Sequence, residues 1–276
     1  MYIFVCENSI DGILTGVYDA FAFKVAHRDT LKEQDIGLSC HPDANYQLFT
    51  EYIPVPVSFE KAAKVRQTLY EKLGEEFYET IVSAILAVDT SGKKKSMDKA
   101  NAVYFTICYA LKKPQGSDIP FGASVLHYLG NPYIHRVFDL SRATHNEAHH
   151  LLGFLRFQEL ANGVLFSVIH PQNHCLPILA EHFTDRLPQE NFLLYDETRK
   201  LAAIHKSGTY YALTDASDLN QEILTQLSEK ESLYQELWLT FFEHIAIEAR
   251  ENPKLQAQNI PKRFWKDTVE LSHLAK

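Results

Sequence analysis

The chain has 276 residues, 46% of them hydrophobic and 12% aromatic, enough to bury a sizeable core and to exclude wholesale disorder. Its 27 basic and 35 acidic side chains leave a formal net charge of −8, which excludes a surface coated throughout with nucleic acid but permits a local basic patch. With no apolar run near the roughly 18 residues of a membrane span and no leader-like start, a cytoplasmic protein with no membrane partner is expected, its four scattered cysteines reduced.

In chain order, residues 2–6 form a β-prone run, and Asp11-Gly12 opens a helical pattern through Leu14, Val17 and Phe21. Residues 46–57 read as one strand ended by Pro54 and Pro56. Ser58 is a natural N-cap for a helix carrying Ala62, Val65, Leu69 and Leu73. A second helix carries Phe77, Ile81 and Ile85, and a third, after a lysine-rich turn at 92–95, carries Val103, Ile107 and Leu111. Asn131-Pro132 marks the start of another helix, with a break expected near Ser141, reaching Leu160. A strand over 164–170 and a helix around Leu176, Leu179 and Phe183 come next. Short strands over 192–195, 201–205 and 210–214 then suggest an antiparallel sheet. A long helix with Leu233, Leu237, Phe241 and Ile245 on one side follows, then a bend at Asn252-Pro253 and a last helix from Pro261. The class expected is α+β: a helix-rich first half, a small antiparallel sheet flanked by helices in the second, and a long C-terminal helix. One globular unit over 1–276 is expected, with a subdomain boundary conceivable near 130.

Signatures for triphosphate cradles, dinucleotide folds, nucleophile elbows, iron–sulfur clusters and zinc deaminases are absent, so neither a cofactor nor a metal is expected. The densest polar cluster is His145, Glu147, His149 and His150, followed by Arg156. On a helix, His145, His149, Leu152 and Arg156 share a stripe. Three readings stand: a metal shared by His145 and His149, with a third ligand from Glu147, His170 or His174; a hydrogen-bonded helix–sheet interface; or Arg156 gripping an anion. His182, Arg186 and Arg199 either line the same anion-attracting cleft or form ion pairs with Asp196. Residues 250–276 carry six cations against three carboxylates. Arg250, Lys254, Lys262 and Arg263 are candidate phosphate contacts there, with Trp265 either stacking on a base or pinning the segment to the core.

An ordered set of residues carries a resemblance: Asp11-Gly12 with Leu14 and Tyr18; Lys61, Lys64 and Val65; Glu147, His149 and the 153–157 stretch; His182-Phe183 with Arg186; Asp196 with Arg199; Trp238; and 252–256 with Pro261 and Trp265. The chain resembles a bacterial family of DNA metabolism proteins built on a domain of unknown function. Such domains accompany a radical-SAM protein assigned to DNA modification or repair, and in some members are joined to a uracil-DNA glycosylase-like domain. His150 departs from the basic residue usual after His149, and residues 28–46 read as an insertion. The resemblance implies a DNA-binding accessory to a radical-SAM repair or modification enzyme on another chain. Two alternatives are an enzyme acting on a damaged base or nucleotide, with Glu147, His149 and His182 as acid–base groups, and a purely structural docking partner.

Overall fold

The computed structural model describes residues 1–41, 48–89, 97–113, 121–219, 226–245 and 247–272. The lysine-rich turn at 92–95 and the start of the 46–57 strand lie outside them. The chain divides into two compact units, Met1–His145 and Asn146–Lys276. The division falls beyond the boundary conceived near 130, inside a helix rather than in a linker, and so leaves no compositional mark. The α+β class holds.

In the first unit, β1 (Tyr2–Val5) is the centre of a three-stranded parallel sheet, between β2 (Ile36–Ser39) and β3 (Glu51–Pro54). Helix α1 (Ile10–Ala26) starts where the Ser9 side chain accepts from Gly12 N–H. It lies close over the sheet: a Cβ at Gly16 would sit 2.1 Å from Cys6 Sγ, so only glycine permits the approach. Helices α2 (Phe59–Leu73), α3 (Glu75–Leu86) and α4 (Lys99–Leu111) follow. Ser58 caps α2 as expected, and the predicted apolar stripe Ala62, Val65, Leu69, Leu73 is buried. The four helices and the sheet enclose one core around Leu14, Phe77, Ile81 and Tyr104. Buried Lys99 donates from Nζ to the carbonyls of Ile85 and Ala87, satisfying the open end of α3.

Helix α5 (Pro132–Phe154) begins at Asn131, whose Oδ1 accepts from Tyr133 and Ile134 N–H. It passes Ser141 unbroken and stops at Phe154, not Leu160, because Gln158 and Glu159 are drawn into a strand. The second unit holds a five-stranded sheet in the order β4 (Gln158–Glu159), β5 (Leu165–Ile169), β6 (Phe192–Asp196), β7 (Leu201–His205), β8 (Ala212–Asp215). Its pairings are antiparallel except β5–β6, which is parallel and bridged by helix α6 (Leu176–Arg186). A crossover helix is what a parallel pair requires. Helices α7 (Glu229–Ile245) and α8 (Pro253–Asn259) complete the unit. Phe264 and the α6 residues Leu176, Leu179 and Phe183 share its main core. No helix among the described residues is long and apolar enough to cross a membrane.

Candidate functional site

Glu147, Leu151 and Leu155 recur at helical spacing on α5 and are buried, while His145 and His149 stand exposed. The buried face is therefore offset from the histidine stripe read from the sequence. The Glu147 carboxylate accepts from Gln172 N–H at 2.9 Å, Asn173 N–H at 2.7 Å and Asn173 Nδ2 at 2.8 Å. Arg263 Nη1 lies 3.3 Å from Oε1, the oxygen that accepts from Gln172. Such a carboxylate is a structural anchor, committed on both oxygens to donors that stabilise its charge.

Arg199 holds the same loop from its carbonyl side. Its Nη1 donates to Asp196 Oδ2 at 3.0 Å and to Pro171 O at 3.2 Å, and its Nη2 donates to Gln172 O. The link from β5 into α6 is thus clamped, with N–H groups on Glu147 and carbonyls on Arg199. Burial pushes the Asp196 carboxyl up, and the Arg199 guanidinium only partly opposes this. A raised folded-state pKa gives stability that is full below the unfolded pKa and is lost as pH rises through the folded value. Urea denaturation at pH 7 and pH 4.5 should accordingly show the native chain gaining on Asp196→Asn as pH falls, by up to about 1.4 kcal/mol per unit across that window. An unchanged gap would mean that Asp196 ionises in the fold as it does in water.

Arg156, His182, Arg186 and Arg199, expected along one anion-attracting cleft, do not gather there. Glu147 and Arg199 meet at the 171–175 loop. Arg156 is elsewhere: its Nη2 donates to Glu270 Oε1 at 3.1 Å and its Nη1 to the carbonyls of Gly153 and Leu155. Arg186 and His182 are exposed on α6, with Arg186 in the last turn, where a cation suits the helix dipole. His149 is exposed, and His150 packs between Phe154 and Phe264, with ring centroids 5.8 and 5.9 Å away. His145 lies within hydrogen-bonding distance of Ser83 and Ser141. Among the described residues no group of three or more His, Cys, Asp or Glu side chains is placed to hold a metal.

Trp265 settles into the pinning role. It is 8% exposed, its Nε1 donates to Ile260 O at 2.8 Å, and it is withdrawn from any base that would stack on it. Arg250, Lys254 and Lys262 are exposed around it, and the side chain of Arg263 stays 41% exposed although it pairs with Glu147. Lys262 Nζ stands 5.6 Å from the Trp265 ring, a cation–π contact that leaves its charge at the surface. None of the four cysteines is in a disulfide. Burial pushes the Cys6 thiol up to about 12 and raises Cys40 and Cys175 as well, so none of these three is a ready nucleophile.

Two features were not anticipated. One is the pairing of His170 with Glu197, Nε2 to Oε2 at 2.5 Å, just past the carboxyl ends of the parallel strands β5 and β6. Its signal, one ionisable residue closing each of two apolar strands, is visible in the sequence only once those strands are known to be parallel neighbours. The other is the exposure of α7, none of whose side chains is buried. Leu233, Tyr234, Leu237, Trp238, Phe241 and Ile245 all face solvent in large part. The expected single apolar side is matched by apolar residues that continue around the helix.

A family model described as a domain of unknown function, DUF4130, matches residues 98–270. No curated protein matches the chain. Among solved structures, the DHH domain of a member of the s1p family of ribosomal proteins is 10% identical, with 75% of this chain and 73% of that chain covered and a TM-score of 0.34. A likeness that slight carries no argument about function.

Proposed function

The chain belongs to the DUF4130 family of domains of unknown function, and from that premise we propose that it is a DNA-binding accessory protein working beside a separate radical-SAM repair or modification enzyme. The observation that carries the DNA-binding half is the segment 250–263, where exposed Arg250, Lys254 and Lys262 stand with Arg263, which also pairs with Glu147, and whose one carboxylate is Glu251, in a chain of net charge −8. The field of these cations reaches about a Debye length, roughly 8 Å at physiological salt, so carboxylates farther away do not cancel it. With Trp265 buried, the contact is with phosphates rather than bases. Binding should then be indifferent to sequence and steep in salt.

The test is fluorescence anisotropy with labelled single- and double-stranded oligonucleotides between 50 and 200 mM salt. The triple variant Arg250→Ala, Lys254→Ala, Lys262→Ala is expected to weaken binding at least tenfold at the lower salt. It should also flatten the log–log salt slope by about 2–3 on duplex. Equal affinity, or no salt dependence in the native chain, would overturn the reading. Arg263 is left intact because it also supports Glu147.

A second reading, docking alone, is favoured by α7: an apolar helix left open to solvent suits an accessory that binds its enzyme through that face. Co-purification with the radical-SAM protein after nuclease treatment, lost in Leu237→Asp with Phe241→Asp, would separate docking from attachment through DNA.

A further inference from the structure

A cleft of about 270 Å³ opens on one face of the five-stranded sheet. The strand registers build its floor. The β4–β5 pairing sets Gln158 opposite Phe166, and the β5–β6 pairing sets Val168 beside Tyr195. One step beyond that ladder His170 meets Glu197, where Glu197 N–H still donates to Ile169 O. Alternate residues of a strand share a face, so Phe166, Val168 and His170 line the cleft, while Ile169 turns into the core against α6. Gln235 of α7 and the hydroxyls of Thr268 and Ser272 form the walls.

Among the described residues, the charges lining this cleft are matched locally. Arg156, at its edge, is engaged by Glu270, whose other oxygen accepts from Trp238 Nε1 at 3.2 Å, and Glu197 faces His170. A phosphate would find no surplus of positive charge there. What the cleft offers is a flat apolar floor from Phe166 and Val168 and a polar rim. Gln158 carries a carboxamide that both donates and accepts, Gln235 keeps its carbonyl and a second N–H beside the bond from Nε2 to Glu231 Oε1 at 2.8 Å, His170 is held by Glu197, and Thr268 and Ser272 already donate to backbone carbonyls and so present acceptor lone pairs. Ligand pockets generally run about 300–1,000 Å³, so this one, at the lower edge, suits a single ring system. A neutral, flat heterocycle edged with adjacent donors and acceptors is a nucleobase.

We propose that this cleft receives one unpaired nucleobase, read along its hydrogen-bonding edge by Gln158 and Gln235. The proposal deepens the DNA-binding reading and rests on it: residues 250–263 hold the backbone and the cleft takes a base. The base has two possible sources, a free nucleoside or a position extruded from a strand.

Calorimetric titration of the full chain with each of the four deoxyribonucleosides tests the chemistry. Saturable binding is expected, with one base preferred at least fivefold over the weakest. Val168→Phe, which fills the floor, should weaken it at least tenfold. Gln235→Phe, made on a solvent-facing helix that tolerates substitution, should do the same from the wall, so the result survives if the strand variant fails to fold. In the second arm, a duplex with one unpaired base should bind at least threefold tighter than its fully paired counterpart, and Gln235→Phe should erase that difference. Salt-dependent strand binding without any saturable nucleoside binding would overturn the cleft proposal and leave the DNA-binding reading standing. Nucleoside binding without strand binding would do the reverse and assign the cleft to free nucleosides. Nucleoside binding untouched by both filling variants would place the ligand elsewhere and overturn the proposal.

Discussion

Glu147→Ala is expected to lower the stability of the chain by about 3–5 kcal/mol, the cost of stranding buried partners of a removed charge. The substitution leaves the N–H groups of Gln172 and Asn173 and the Asn173 carboxamide without their acceptor, and takes the counter-charge from Arg263. Little water reaches the site, since Glu147 is 3% exposed and Asn173 is buried. Glu147→Gln keeps the shape but turns one acceptor into an NH2 facing donors, so roughly half the loss should persist. Arg263→Ala removes one half-exposed partner and should cost about 1–2 kcal/mol. Urea titration of the three variants beside the native chain provides the check. A cost below about 1 kcal/mol for Glu147→Ala would mean that the 171–175 loop holds its form unaided.

In the first unit the comparable change is Asp98→Ala, expected to cost about 2–4 kcal/mol. Asp98 Oδ1 accepts from Ala100 N–H at 2.9 Å, capping α4. Its Oδ2 accepts from Ser39 Oγ at 2.7 Å, Cys40 N–H at 2.9 Å and His41 N–H at 3.3 Å, tying the end of β2 to the same helix. A simple cap is worth about 1 kcal/mol, and the excess measures the sheet contacts. Asp98→Asn, which keeps the cap oxygen and trades the other for an amide, should recover about the cap's share. Hydrogen exchange at Cys40 and His41 separates the two contributions, because only loss of the sheet contacts accelerates it.

Much of the helical framework was legible. Ser58 and Asn131-Pro132 begin helices as expected, since capping is chemistry between neighbours in sequence, whereas Asn252-Pro253, read as a bend, caps the short helix α8 instead. The parallel sheet of the first unit was not legible. β2 is four residues long and pairs with β1 across a gap that no local pattern spans, and β3 occupies only the last part of the stretch read as one strand. In the second unit a single parallel pairing, β5–β6, is decided by the path of α6 rather than by the composition of either strand. The site was half legible. The cationic residues of 250–263 are exposed as a reading of charge suggested, and Trp265 took the pinning role because Phe264 beside it enters the core and Ile260 O receives its indole N–H. The expected arginine cleft dissolved because each carboxylate that disarms an arginine, Glu270 for Arg156 and Asp196 for Arg199, lies on a separate element. Glu147 carried an overlooked sign of its place: a charge at helical spacing from Leu151 and Leu155 has to be met by buried donors.

The exposure of α7 bears on how this molecule behaves in company. Seven of its apolar side chains, from Leu239 at 37% to Tyr234 at 65% exposed, lie open along a 17-residue helix. Hydrating so much apolar surface is unfavourable, and two lone copies meeting at high concentration would each shelter the other. Apolar surface of this extent favours self-association as concentration rises unless something covers the helix.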